Sequence, residues 1–149
     1  MLTEQDHVRF LRLAQHISSW SPDPSTKVGC ILVDQDGHIV SSGFNAFPRD
    51  EEHDEAKYNI RSYKYKHIRH AEDECLQGFA HVIDGSHTLY TTHPPCEHCA
   101  GLIIGHGVKK VVSCIPSEDF ESRWLNSTLK ASEIFEIGKV NFVKYSLDK

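Results

Sequence analysis

Between His70 and Cys99 the chain sets one imidazole, one carboxylate and two thiols in a fixed order: His70-Ala71-Glu72, then Pro94-Pro95-Cys96-Glu97-His98-Cys99. Cys96 and Cys99 are three apart, so on a helix both thiols lie on one face and can grip a single ion. Pro95 suits the start of that helix, because its missing N–H is one the helix would not use. The free N–H groups and positive dipole end of the first turn then favour thiolate over thiol. One imidazole and two thiolates fill three corners of a tetrahedral zinc, and a catalytic zinc keeps the fourth for water. If His70 joins the two cysteines, two segments far apart in sequence must end at one point, and every other element has to be arranged around that meeting.

His70 and Glu72 are two apart, which in mid-helix would turn them to roughly opposite sides. They converge only near a helix terminus, so a second helix is expected from about His70 to His81, with its N-terminus also aimed at the metal. Two dipole ends over one site favour an anion. Zinc with two thiolates and a neutral imidazole sums to zero charge, and zinc lowers the pKa of a bound water from about 15.7 to about 7. Glu72 is placed to move the protons. A histidine, a glutamate two residues later and a distant Pro-Cys-x-x-Cys is the pattern of zinc deaminases of nucleobases, in which the glutamate does not bind metal. The expected reaction is hydrolytic deamination of an aminopyrimidine or aminopurine. A structural zinc closed by His67 or His93 is the alternative, but it leaves Glu72 without a role; His98, between the cysteines, would face away.

The 149 residues are expected to form one domain, with 39% hydrophobic and 25% charged residues as in ordinary globular proteins. No long apolar run marks a membrane span or a signal peptide, so a cytoplasmic location is expected. Five cysteines are an odd count, which suits metal binding better than a disulfide framework; Cys30, Cys75 and Cys114 stand in apolar contexts as packing residues. A net charge of −5 and a pI near 6.1 argue against a protein that tracks a long phosphate backbone. A free nucleotide needs only a few local cations and fits better.

Residues 2 to 20 carry Val8, Leu11, Ile17 and Trp20 at amphipathic helical spacing. Apolar runs Val28 to Val33 and His38 to Phe44, joined by Asp34-Gln35-Asp36-Gly37, predict a β-hairpin. Residues 45 to 69 are polar, without clear periodicity; a connection of that length is usually functional or disordered, and because this one delivers the chain directly to His70 it is read as functional. Further strands are expected over His87 to Thr92, Lys110 to Ile115 and Val140 to Tyr145. The cysteine helix should end around Gly105 and Gly107, and another helix should run from Ser122 to Phe135. This alternation predicts a three-layer α/β/α domain with a mixed five-stranded sheet.

Over roughly residues 18 to 115 the chain resembles the deoxycytidylate (dCMP) deaminases of the cytidine-deaminase superfamily. The resemblance rests on Asp23-Pro24-Ser25-Thr26-Lys27-Val28-Gly29, Gly43-Phe44-Asn45-Ala46-Phe47-Pro48, Lys64-Tyr65, His70-Ala71-Glu72 and Pro95-Cys96-Glu97-His98-Cys99-Ala100-Gly101. It implies that His70, Cys96 and Cys99 bind one zinc, that Glu72 shuttles protons, and that Asn45 and Ala71 contact the substrate. Lys27 with Ser25, and Arg123, are candidates for the 5′-phosphate. It also implies a homohexamer regulated by dCTP and dTTP, with effector contacts around Ala46 and Arg49, and a product, dUMP, destined for thymidylate synthesis. His53, Asp54 and Glu55 suggest a second metal site, or simply an exposed polar loop. Ala46 stands where a glycine is common, which bears on effector binding. Glu74-Cys75 replaces Asn-Ala after the glutamate, which bears on helix packing. Deaminases of cytidine, guanine, a riboflavin precursor or tRNA adenosine, and a zinc-binding module without activity, remain the competing readings.

Overall fold

The computed structural model describes residues 2–48 and 55–147. Helix α1 (Glu4–Ser18) starts in a capping box, in which the Thr3 hydroxyl takes the Asp6 N–H while the Asp6 carboxylate takes the Thr3 N–H. Strands β1 (Gly29–Val33) and β2 (Ile39–Phe44) form the expected hairpin. Its turn is held by the Asp34 carboxylate, which accepts from the N–H groups of Asp36 and His38, and by Gly37 at φ 85°.

The segment expected to be an irregular connection instead contains two short helices, α2 (Glu55–Tyr58) and α3 (Arg61–His67). Four and seven residues of polar sequence are too short to show a 3.6-residue period. Helix α4 (Ala71–Gln77) follows, then β3 (Thr88–Thr91), α5 (Glu97–Gly105), β4 (Lys110–Cys114), α6 (Glu118–Ile137) and β5 (Asn141–Tyr145). The expected helix from His70 to His81 ends early, because Gly78 takes the C-cap. The sixth helix begins a turn before Ser122, where the Ser117 hydroxyl caps the N–H of Phe120.

The five strands form one mixed sheet in the order β2-β1-β3-β4-β5. β1 is antiparallel to β2 and β3, whereas β3, β4 and β5 run parallel. Successive strand residues point to opposite faces. Cys30, Leu32, Leu89 and Val111 therefore pack against Ala71, Cys75, Ala100, Ile103, Ala131 and Phe135 of α4, α5 and α6. Ile31, Val33, Tyr90 and Val112 pack on the other face with Leu11 and Ile17 of α1. The expected three layers are thus present. α5 and α6 share a face because both crossovers advance in one direction and parallel crossovers are right-handed. Cys30, Cys75 and Cys114 are all buried packing residues. Among the described residues no helix is long and apolar enough to cross a membrane.

Candidate active site

The parallel strands β3 and β4 end on the same side of the sheet as the start of β1 and the end of β2, and there the site residues gather. This is the carboxyl edge at which open α/β sheets place ligands. His70 is the N-cap of α4, with φ −75° and ψ 153°, as its spacing to Glu72 requires. Its placement has two causes. The backbone of Arg69 pairs with Ala46 in a two-way bridge, Ala46 N to Arg69 O at 3.2 Å and Arg69 N to Ala46 O at 2.8 Å. Gly43 on β2 lets α4 approach closely, since a Cβ there would lie 2.6 Å from the Ala71 carbonyl. Cys96 is the N-cap of α5, its sulfur accepting from the Cys99 N–H at 3.5 Å.

The His70 Nδ1 lies 3.7 Å from Cys96 Sγ and 3.3 Å from Cys99 Sγ. A tetrahedral zinc with ordinary Zn–S and Zn–N bonds needs a nitrogen–sulfur separation of about 3.6 Å, so the three donors already stand close to the spacing that ion requires. All three atoms lie within 4.8 Å of one another, and among the described residues no fourth donor joins them. His67 is stacked on Tyr63 at 4.0 Å, and His93 bonds through Nδ1 with the Thr92 hydroxyl at 2.8 Å. His98 is exposed. The closed structural site therefore finds no support among these histidines.

Hydrogen bonding sets the charges in the trio. Cys96 is held low, to about 4, chiefly by the bond from the Cys99 thiol and then by His70. The same bond, with burial, pushes the Cys99 thiol well up. His70 is raised to about 8, first by its bond to Cys96. Glu72, 4% exposed, sits beside them, and burial raises its carboxyl above the usual range. A buried carboxyl whose affinity for a proton is raised suits acid–base work.

His70, Cys96 and Glu72 border a cavity of about 290 Å³, just under the range of small-ligand sites, about 300–1,000 Å³. Its lining includes Asp23, Ser25 and Asn45, the α2 and α3 residues Tyr58, Arg61, Lys64 and Tyr65, and Phe120, Arg123 and Trp124 of α6. Asn45 is tightly engaged: its Nδ2 donates to Thr26 O at 2.8 Å and to Asp23 Oδ2 at 3.3 Å, and its Oδ1 accepts from Val28 N at 2.8 Å. It braces the 23–28 loop, and the bond from Val28 occupies one of its two Oδ1 lone pairs. Ser25, Ala71 and Arg123 line the cavity; Lys27 does not, and its ammonium donates to the Ser21 carbonyl at 2.5 Å. Ala46 is occupied by its bridge to Arg69, and Arg49, His53 and Asp54 lie outside the described residues. Of the two departures near the glutamate motif, Cys75 is fully buried in the core and Glu74 pairs with Arg69 at 3.1 Å.

Sequence reasoning missed the buried pair of Lys64 and Asp23, 2.8 Å apart with the aspartate side chain 1% exposed. It also missed Arg61 and the aromatic wall in which Phe120 packs on His93 and Trp124 at centroid distances of 4.7 and 6.1 Å. Their only sequence signal is the i, i+3, i+4 spacing of Arg61, Lys64 and Tyr65 on α3 and of Phe120, Arg123 and Trp124 on α6. Trp124 Nε1 is a buried donor without a partner in this wall, which costs about 1–3 kcal/mol in a folded protein.

Residues 4–115 match the family model described as the cytidine and deoxycytidylate deaminase zinc-binding region. The chain belongs to this family. A member from Aliivibrio fischeri, described as an uncharacterized deaminase in the luxG 3′ region, is 35% identical over 94% of this chain and 93% of its own length. A probable deoxycytidylate deaminase of Caenorhabditis elegans is 38% identical over 70% of this chain, which spans 55% of that relative. Among solved structures, the dCMP deaminase of cyanophage S-TIM5 in complex with dCMP and dUMP superposes with a TM-score of 0.74 at 23% identity, over 97% of this chain and all of that one. At that identity the likeness concerns the fold, and it is the deaminase fold with the mixed five-stranded sheet.

Proposed function

We propose that the protein is a zinc-dependent deoxycytidylate deaminase that converts dCMP and water to dUMP and ammonia. The observation that carries this reading is the convergence of His70, Cys96 and Cys99 beside a buried Glu72 in a cavity of mononucleotide size. Family membership supports the reaction class. The nematode relative, and the cyanophage protein with its bound dCMP and dUMP, support the substrate.

His70, Cys96 and Cys99 would hold a zinc ion, which would supply Lewis acidity to activate water. Everything else falls to the chain. Glu72 accepts a proton from the attacking water and delivers it to N3 of the cytosine ring, then moves the second water proton to the departing C4 amine, which leaves as ammonia. Burial raises its carboxyl, which makes it a better base and lets it hold the proton between the two transfers. Ala71 heads α4, where its N–H has no intrahelical partner, and can donate to the base carbonyl. The remaining Oδ1 lone pair of Asn45 accepts from a sugar hydroxyl. Tyr58 and Phe120 offer aromatic surface for the base to pack on.

The test is ammonia release from dCMP beside deoxycytidine, cytidine and CMP, with the zinc-loaded protein and with a dCTP arm that reads the regulation implied by the family resemblance. Selective turnover of dCMP is expected. Absence of turnover with all four compounds would refute the reading.

A further inference from the structure

The carboxylate of the buried Asp23 is the hub of a hydrogen-bond network on the cavity lining. Its Oδ1 accepts from the Ser25 N–H at 2.9 Å and from Lys64 Nζ at 3.0 Å, and its Oδ2 accepts from Lys64 Nζ at 2.8 Å and from Asn45 Nδ2 at 3.3 Å. Lys64 lines the same cavity, and its charge alone would suit a ligand contact. Its ammonium is instead engaged with both oxygens of Asp23, and the pair is withdrawn from solvent, with side chains 13% and 1% exposed. The proposed proton transfers use neither residue.

The network fixes which way the Asn45 amide is turned. An amide nitrogen carries two donors, and both are taken, one by the Thr26 carbonyl at 2.8 Å and one by Asp23. The amide oxygen accepts from the Val28 N–H at 2.8 Å, which occupies one of its two lone pairs. Turned over, the amide would set its NH2 group against the Val28 N–H and its oxygen against two acceptors, and each such mismatch is costly in a buried place. Asn45 therefore has an acceptor to offer a ligand and no free donor. Thr26 and Val28 hold it through the backbone of one loop, whereas Asp23 is itself held from another element, by Lys64 of α3. Without that ammonium, Asp23 is a buried carboxylate whose desolvation nothing offsets. It must then turn toward water and release Asn45 Nδ2.

We propose that Lys64 is a positioning residue that acts through Asp23: the pair keeps the Asn45 amide in the orientation that presents oxygen, and with it the selection of the site for a hydroxyl on the sugar. The inference rests on the proposed deaminase reading and adds the residues that set one of its contacts. In dCMP the 5′ oxygen carries the phosphate and the 2′ position has none, so the 3′-hydroxyl is the donor from which the Asn45 oxygen accepts.

The experiment compares dCMP with its 2′,3′-dideoxy analogue and reads the ratio of the two kcat/KM values. It uses wild type, Lys64→Met, Lys64→Arg and the double variant Lys64→Met with Asp23→Asn, each shown to be folded by thermal melting. The wild-type ratio should favour dCMP by about 3- to 10-fold, the worth of one neutral hydrogen bond. Lys64→Met should bring the ratio close to one. Lys64→Arg, whose planar fork suits a contact to two carboxylate oxygens, should keep most of it. The double variant buries no lone charge, so it serves if Lys64→Met does not fold, and it should lose the preference as well, because no cation then holds the side chain at position 23. A merely structural role for Lys64 would lower both rates together and leave the ratio unchanged. That result, or a wild-type ratio near one, would overturn the inference while leaving the deaminase reading intact. If the wild type deaminates neither compound, the deaminase reading fails, and calorimetric titration with dUMP and its 2′,3′-dideoxy analogue decides the inference. A binding preference for the hydroxyl that Lys64→Met removes sustains it; no preference, or one that survives the substitution, overturns it.

Discussion

Gly43→Ala offers a quantitative test of how the fold positions the chemistry. A Cβ at Gly43 would stand 2.6 Å from the Ala71 carbonyl, 2.7 Å from the Cys75 nitrogen and 3.0 Å from Glu74 Cβ. Two of these are backbone atoms of α4, so no side chain can yield on their behalf; α4 must retreat by about 0.8 Å to reach ordinary van der Waals contact, taken as about 3.4 Å. The bridge between Ala46 and Arg69 anchors the chain just ahead of the helix, so the retreat becomes a tilt at His70 and Glu72. Overpacking of this kind costs about 1–3 kcal/mol, or a drop of several degrees in Tm for a domain of this size. A misplacement near 1 Å in a catalytic group lowers turnover by about 10²-fold. Gly101→Ala is the matched control: nothing lies within 4 Å of its Cβ, it sits inside α5, and alanine there should stabilise by up to about 1 kcal/mol. The assay is kcat with the proposed substrate, with Tm and zinc content measured on the same preparations. Wild-type kcat and Tm in Gly43→Ala would refute the claim that this contact sets the position of Glu72.

Other predictions are more direct. Cys99→Ala should abolish stoichiometric zinc and lower stability; metal analysis showing one zinc per chain would remove Cys99 from the ligand set. Lys64→Met leaves Asp23 buried and unpaired, which should cost about 3–5 kcal/mol, and adding Asp23→Asn should recover part of it in a denaturant titration; strictly additive effects would show that the pair is not coupled. His7 bonds Tyr90 through Nδ1 at 2.5 Å and faces Lys110 Nζ from Nε2 at 3.2 Å. Burial first, and then Lys110, pull its imidazole below the usual range, against weaker opposite pulls from Asp6 and Glu4. Below about pH 6.5 the unfolded chain takes up that proton before the folded one, so stability falls as pH drops until the folded imidazole is also charged. His7→Gln should flatten that acid limb, and an unchanged slope of stability against pH would contradict it.

The clustering of His70, Cys96 and Cys99 was legible in the sequence because the proposed zinc chemistry demands short, fixed spacings, and the placement of His70 at a helix cap followed from its separation from Glu72 alone. The hairpin was legible through Asp34 to Gly37, and the parallel half of the sheet through strands alternating with helices. What the sequence hid depends on meetings between distant residues. Lys64 and Asp23 stand 41 residues apart and carry no mutual signal. α2 and α3 are too short and polar for periodicity to reveal, yet they supply part of the cavity lining. Lys27 looked suitable by its place near Ser25, but the turn at Ser21 captures its ammonium, a contact only the folded backbone creates.

The most direct test of the central claim compares wild type with Glu72→Gln, each assayed for bound zinc and for ammonia release from dCMP. The account predicts one zinc per chain in both, with turnover in the variant lower by about 10²–10⁴-fold, the usual worth of a positioned acid–base group. A zinc-loaded Glu72→Gln variant as active as wild type would contradict it.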